Sequence, residues 1–228
     1  MAAKSRSTIS RIHWSSLLKS FAAAAAWLFL PWWGFCAVAL YCYLYPWFRP
    51  LSLAVPFLLF LLLAAAIPPG FFQAVFAAAA FVLILGIKDL LIVHRRNAYE
   101  LLVFLLTFAG CLLFFELFPS WASPASFPAA ALAALLWFLL IAAAPERKEE
   151  RSWLPPALAA LLFFEIGSAL LFLPLGFFSE AALLFLGSTL LFEVATNFAA
   201  ITSRQFLLWS AGYAALAFIV SFLAPWKV

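Results

Sequence analysis

Glu165 stands deep in an apolar stretch, with about eleven such residues before it and about eight after, near the middle of the run. In a bilayer a charge at that depth is costly, so such groups usually face a bundle interior or a wet cavity. A carboxyl there can carry a proton or ligate a cation. The plainer alternative is a protonated carboxyl hydrogen-bonded to a neighbouring helix, which holds a bundle together. Thr189, Glu193 and Asn197 recur at four-residue spacing, with Thr196 beside them. On a helix this sets hydroxyl, carboxylate and amide on one face. The stripe suits a proton or cation route, and it equally suits hydrogen bonding between helices. Gly167 and Ser168 are small enough for close helix approach, which would let Glu165 and Glu193 share one proton or cation.

Lys88, Asp89, His94, Arg95, Arg96, Asn97 and Glu100 form a second constellation. Cations beside a histidine could grip a phosphate or pyrophosphate headgroup, with Asp89 or His94 as base. The simpler reading is that an inside loop requires such cations for orientation alone. A lone histidine is a poor ligand set, so neither a metal nor another cofactor is expected. The run Glu146 to Arg151 balances to zero and reads as a solvated hinge. Glu116 belongs at a headgroup region and Arg204 reads as an orientation anchor. Ser179 followed by Glu180 reads as a helix start, with a serine cap and a favourable dipole partner. No Gly-x-Ser-x-Gly elbow, His-Glu-x-x-His pair or phosphate loop occurs in the chain. The last apolar segment also lacks a lysine for a retinal Schiff base.

Positioning these groups falls to elements of unusual composition. The 228 residues are 68% hydrophobic and 10% charged, with a mean hydropathy of +1.14. Soluble domains are about 45–50% apolar and about 25% charged, so a water-soluble globular domain is excluded. Disorder is excluded as well, because it needs low hydrophobicity and high net charge. Eight apolar segments are expected, at about 20–45, 51–67, 71–93, 98–118, 125–144, 154–173, 178–199 and 205–224. A helix needs roughly 20 apolar residues to cross the hydrocarbon core. The fold class is therefore an all-α polytopic integral membrane protein, a bundle in which seven or eight segments cross fully. Strand alternation is absent, which argues against a barrel. Residues 1–19 form a basic cytoplasmic or interfacial tail, 20–224 one bundle, and 225–228 a short tail. No cleavage site follows the first apolar run, so an uncleaved anchor is expected.

Orientation follows from lysine and arginine in short loops. The stretches 88–97, 145–153 and 200–205 carry seven of the thirteen cations, and the opposite loops near 119–124 and 174–177 carry none. The basic stretches are therefore expected in the cytoplasm. Three full crossings before residue 88 would put the N-terminal cations outside. A re-entrant early segment, broken at Pro31 or at Pro68-Pro69-Gly70, would return them inside. The net charge of +4 lies beside apolar runs, where it meets anionic lipid, so nucleic acid is not an expected partner. Cys36, Cys42 and Cys111 read as small core residues.

Three functions fit this reading. Small-solute or ion and proton-coupled transport through the intramembrane carboxylates comes first. A non-enzymatic subunit or scaffold of a membrane complex follows, then a lipid-headgroup-modifying enzyme built on residues 88–100. Expected partners are membrane lipids, together with further copies of the chain or other membrane proteins.

Overall fold

Long apolar runs without alternation demand helices, and in the computed structural model every regular element among the described residues is helical. The structure describes residues 2–45, 53–68, 70–89, 94–118, 123–144, 153–197 and 201–224, with side chains from Trp14 onward except Phe71 and Phe72. The helices are α1 (Ala2–Phe29), α2 (Trp32–Leu44), α3 (Ala54–Ala66), α4 (Phe71–Lys88) and α5 (Arg95–Leu117). They continue with α6 (Ser126–Ala142), α7 (Leu154–Leu170), α8 (Phe177–Asn197) and α9 (Ser203–Leu223). Of these, α5, α8 and α9 are long and apolar enough to cross a membrane. The hinge expected at 146–151, Arg49 and the tail 225–228 lie outside the described residues.

Each expected segment from residue 51 onward corresponds to one helix. The first does not. Instead of one run over 20–45, the helix starts at Ala2 and ends at Phe29, and Pro31 caps a new helix in extended backbone (φ −61°, ψ 156°). Proline lacks the N–H that a continuing helix would need. The two pieces fold back on each other. Lys19 Nζ donates to the Tyr45 carbonyl, 26 residues further on, and lies 5.4 Å from the centre of the Tyr45 ring. Residues 19–45 are therefore a helical hairpin bent at Pro31, which corrects the expected single segment.

The chain divides into two compact units, Met1–Leu106 and Thr107–Val228, with the boundary inside α5. In the first unit a relay of rings joins four helices. Trp27 of α1 meets Phe35 of α2 at 6.4 Å, Phe35 meets Phe60 of α3 at 6.0 Å, and Phe60 meets Phe81 of α4 at 5.7 Å. Phe81 also reaches Phe57 at 6.3 Å, on which Tyr43 stacks at 4.1 Å. Helices α1 and α4 pack together, and each carries small buried residues that allow close approach, Ser16, Ser20, Ala23 and Ala24 on one and Ala74, Ala77 and Ala80 on the other, beside larger ones such as Trp27 and Phe81. The Ser20 hydroxyl is satisfied within its own helix by the Ser16 carbonyl at 2.9 Å.

In the second unit α6, α7 and α8 pack in sequence. Trp137 stacks on Phe163 at 4.9 Å between α6 and α7. The α7–α8 hairpin closes on glycines, since Leu184 rests on Gly167 and Ile166 on Gly187. Helix α9 packs on α8 and buries none of its own residues. Large apolar side chains face outward in both units, including Phe29 at 83% and Phe222 at 77% exposure. A soluble monomer rarely exposes contiguous apolar surface beyond a few hundred Å².

One terminus is built from polar chemistry. The Thr202 side chain accepts from the Gln205 N–H at 3.3 Å, and the Thr202 N–H donates to Gln205 Oε1 at 3.1 Å. This reciprocal cap satisfies two helix-end donors. Thr202→Ala should cost about 1 kcal/mol locally. Faster hydrogen exchange confined to the first turn of α9 is the expected readout.

Candidate functional site

Helix α7 is apolar around its whole circumference apart from Glu165 and Ser168, so packing rather than hydrophobicity decides which side faces inward. Pro156, Ala159, Ala160, Phe163, Gly167 and Leu170 are buried. That register turns Glu165 outward. It is exposed, on a face with Ala157, Leu158, Leu161, Leu162 and Ala169. The helix ends at Leu170, five residues on, or about 8 Å along the axis. Glu165 thus lies nearer one end of its helix than the middle of the expected run suggests.

Glu193 is placed differently. It is half-buried on α8, and the Asn197 side-chain amide donates both to its carboxylate Oε2 at 3.1 Å and to its backbone carbonyl at 3.1 Å. The hydroxyls of this helix turn back onto their own backbone. Thr189 donates to the Leu186 carbonyl at 2.8 Å, Ser188 to Phe185 at 2.7 Å and Thr196 to Phe192 at 2.8 Å. Such back-bonding satisfies a hydroxyl without an outside partner. The Ser168 Oγ, in contrast, is shielded and has no hydrogen-bond partner among the described residues.

The two carboxylates do not meet. The α7–α8 hairpin is antiparallel, and its glycine contacts pair residue 167 with 184 and 166 with 187. Glu165 therefore lies level with residue 187, and Glu193 is six residues further along α8, a separation of about 9 Å in height. One faces outward and the other is half-buried, so the sharing of a proton or cation that the small residues would permit is not what this packing delivers.

A carboxylate that sequence reasoning undervalued is Glu180. It lies in the first turn of α8, where the helix dipole favours it, and is only 1% exposed. The helix begins at Phe177, so Ser179 falls inside the first turn rather than at the cap expected for it. The signal was the turn Pro174-Leu175-Gly176. It tucks Leu175 in at 1% exposure and draws the start of α8 into the packing.

The second constellation is split in two. Lys88 ends α4 with its side chain fully buried, which corrects the expectation that it faces headgroups. Its ammonium lies 3.2 Å from Asp89 Oδ1 and 5.3 Å from the centre of the Tyr43 ring. That is ion pairing combined with cation–π attraction, at a helix C-terminus where positive charge is favoured. His94, Arg96 and Asn97 are exposed and Arg95 half-buried at the start of α5. Two arginines in a first turn oppose the helix dipole; Arg96 is offset by Glu100, four residues on, at 2.9 Å.

No known protein family, curated protein or solved structure matches this chain.

What the chain can do rests on the placement of its own polar groups. Among the described residues, no group of three or more His, Cys, Asp or Glu side chains could hold a metal ion. Lys88 and Asp89 are engaged with each other, which leaves His94, Arg95 and Arg96 as the accessible part of the basic cluster. Glu193 has a hydrogen-bonding partner on its own helix. Glu165 has an apolar surround and an outward aspect.

Proposed function

We propose that the chain is a polytopic membrane protein that serves as a subunit of a membrane assembly, docking through the outward face of α7. The observation that carries this reading is Glu165, a carboxylate on an otherwise apolar exposed face. Facing lipid it would carry a penalty of roughly 3 kcal/mol at full depth. Against another helix it becomes a source of hydrogen bonding. The transport reading draws on the same residue, yet it needs Glu165 to face an interior path. Glu193 and Asn197 remain its best support, as a half-buried polar pair on α8.

The hairpin supports a topology to go with this reading. In it residues 19–45 dip into the membrane and return to the same side, a course with which the contact of Lys19 and Tyr45 agrees. Helices α3 to α9 then make seven crossings, of which the 13-residue α3, about 20 Å long, is the shortest. With this parity twelve of the thirteen cations, all but Lys227, fall on one side, which the positive-inside tendency assigns to the cytoplasm. The stretches 88–97, 145–153 and 200–205 are on that side, as is the N-terminus.

The test is native mass spectrometry of the chain released gently from its own membrane, wild type beside Glu165→Leu. The expected result is a stoichiometric protein companion with the wild type and none with the variant, whose own fold is unchanged. A wild-type chain that leaves its membrane alone, and supports proton or cation flux in liposomes that Glu165→Leu abolishes, would replace this reading with transport.

A further inference from the structure

We propose that the α7 face receives a membrane-spanning helix of another protein, one bearing a lysine or arginine at the depth of Glu165. This rests on the docking reading above and adds the chemistry of the partner. Glu165 is the one ionisable residue of α7. The remainder of its exposed face is alanine and leucine, and such side chains do not distinguish a partner helix from lipid, whose tails are equally apolar. Recognition therefore falls to the carboxylate. In a medium of low dielectric an ionised carboxylate is matched best by a cation, and intramembrane charges characteristically pair with one another.

Among the described residues a second copy offers little matching charge, since Arg95, Arg96 and Arg204 stand in the first turns of α5 and α9, away from the helix middles. About a twofold axis α7 would meet α7, setting Glu165 against Glu165, a pair that could not both ionise and would have to share a proton. The cations of the Thr107–Val228 unit stand in the connection between α6 and α7, in the first turn of α9, or beyond its end. Elsewhere, Lys19 is held by the Tyr45 carbonyl and Lys88 by Asp89. Ala157 and Ala169 flank the carboxylate on its own face, and small residues there let a partner backbone come close.

The experiment reconstitutes the full chain in phosphatidylcholine liposomes with labelled single-span guest helices of leucine and alanine. The guests carry lysine, glutamine or leucine at the depth of Glu165, and association is read by energy transfer. The lysine guest is expected to bind at least tenfold tighter than the leucine guest, and Glu165→Gln should remove that preference while intrinsic tryptophan fluorescence stays unchanged. If the glutamine guest binds as tightly as the lysine guest, docking stands but the cationic partner falls. If the chain instead associates with itself and Glu165→Gln abolishes this, the occupant is a second copy and the inference is overturned. If all three guests behave alike and the chain stays monomeric, both the inference and the docking reading fall.

Discussion

Lys88→Met should destabilise the chain by about 3 kcal/mol, the low end for breaking a buried ion pair by removing one partner. The lysine side chain is fully buried, whereas that of Asp89 retains 13% of its exposure, so water still reaches the orphaned carboxylate. Methionine keeps most of the buried stem volume, which isolates the effect of charge from that of a cavity. The double variant Lys88→Met with Asp89→Asn should recover most of the loss, because two neutral groups do not leave an uncompensated charge. Unfolding by sodium dodecyl sulfate in mixed micelles, compared across the single and double variants, gives both numbers. Equal stability of Lys88→Met and wild type would mean that the pair contributes nothing.

Phe81→Ala is expected to cost a similar amount, about 3 kcal/mol. Phe81 is fully buried and touches both Phe57 and Phe60, so it is the branch point of the ring relay in the first unit. In soluble proteins Phe→Ala costs about 3–5 kcal/mol, part of which is transfer out of water. Where lipid is the alternative solvent that part shrinks, and lost packing against the neighbouring rings dominates. Phe222→Ala is the matched control. That ring is 77% exposed and its removal should shift stability by less than about 0.5 kcal/mol. The same detergent titration reports both, and equal effects would contradict the burial assigned to Phe81.

The helices themselves were legible in the sequence, because apolar runs and proline breaks act locally. Expected segments at 125–144 and 178–199 became Ser126–Ala142 and Phe177–Asn197, displaced by two residues or fewer at each end. Pro31 was legible as a place for a break, but the reversal there was not. That reversal is held by contacts across the bend, such as Trp27 with Phe35 and Lys19 with a carbonyl 26 residues away, which no local pattern displays. The facing of the helices was hidden for a general reason. In an amphipathic helix the polar stripe marks the outside, whereas α7 has leucine and phenylalanine on every side. Phe163 points in and Leu161 and Leu162 point out with nothing in their chemistry to separate them. Depth in an apolar run alone therefore points to an interior group at Glu165, and the packing of α7 turns it outward. Lys88 differs in the opposite sense: a cation beside a loop reads as exposed, and its burial is supported by the Asp89 carboxylate together with the Tyr43 ring, which the hairpin brings in.

Helix α9 has a consequence for how the molecule comes apart. It packs on α8, none of its residues is buried, and its backbone hydrogen bonds are its own. In a bilayer a helix of this kind would undock without melting, since lipid would be as good a neighbour as α8 and would preserve its internal hydrogen bonds. Circular dichroism would register nothing while spin labels on α8 and α9 moved apart. Separation of a helix and loss of a helix are then distinct events in this chain, and a midpoint read from helicity reports the second alone.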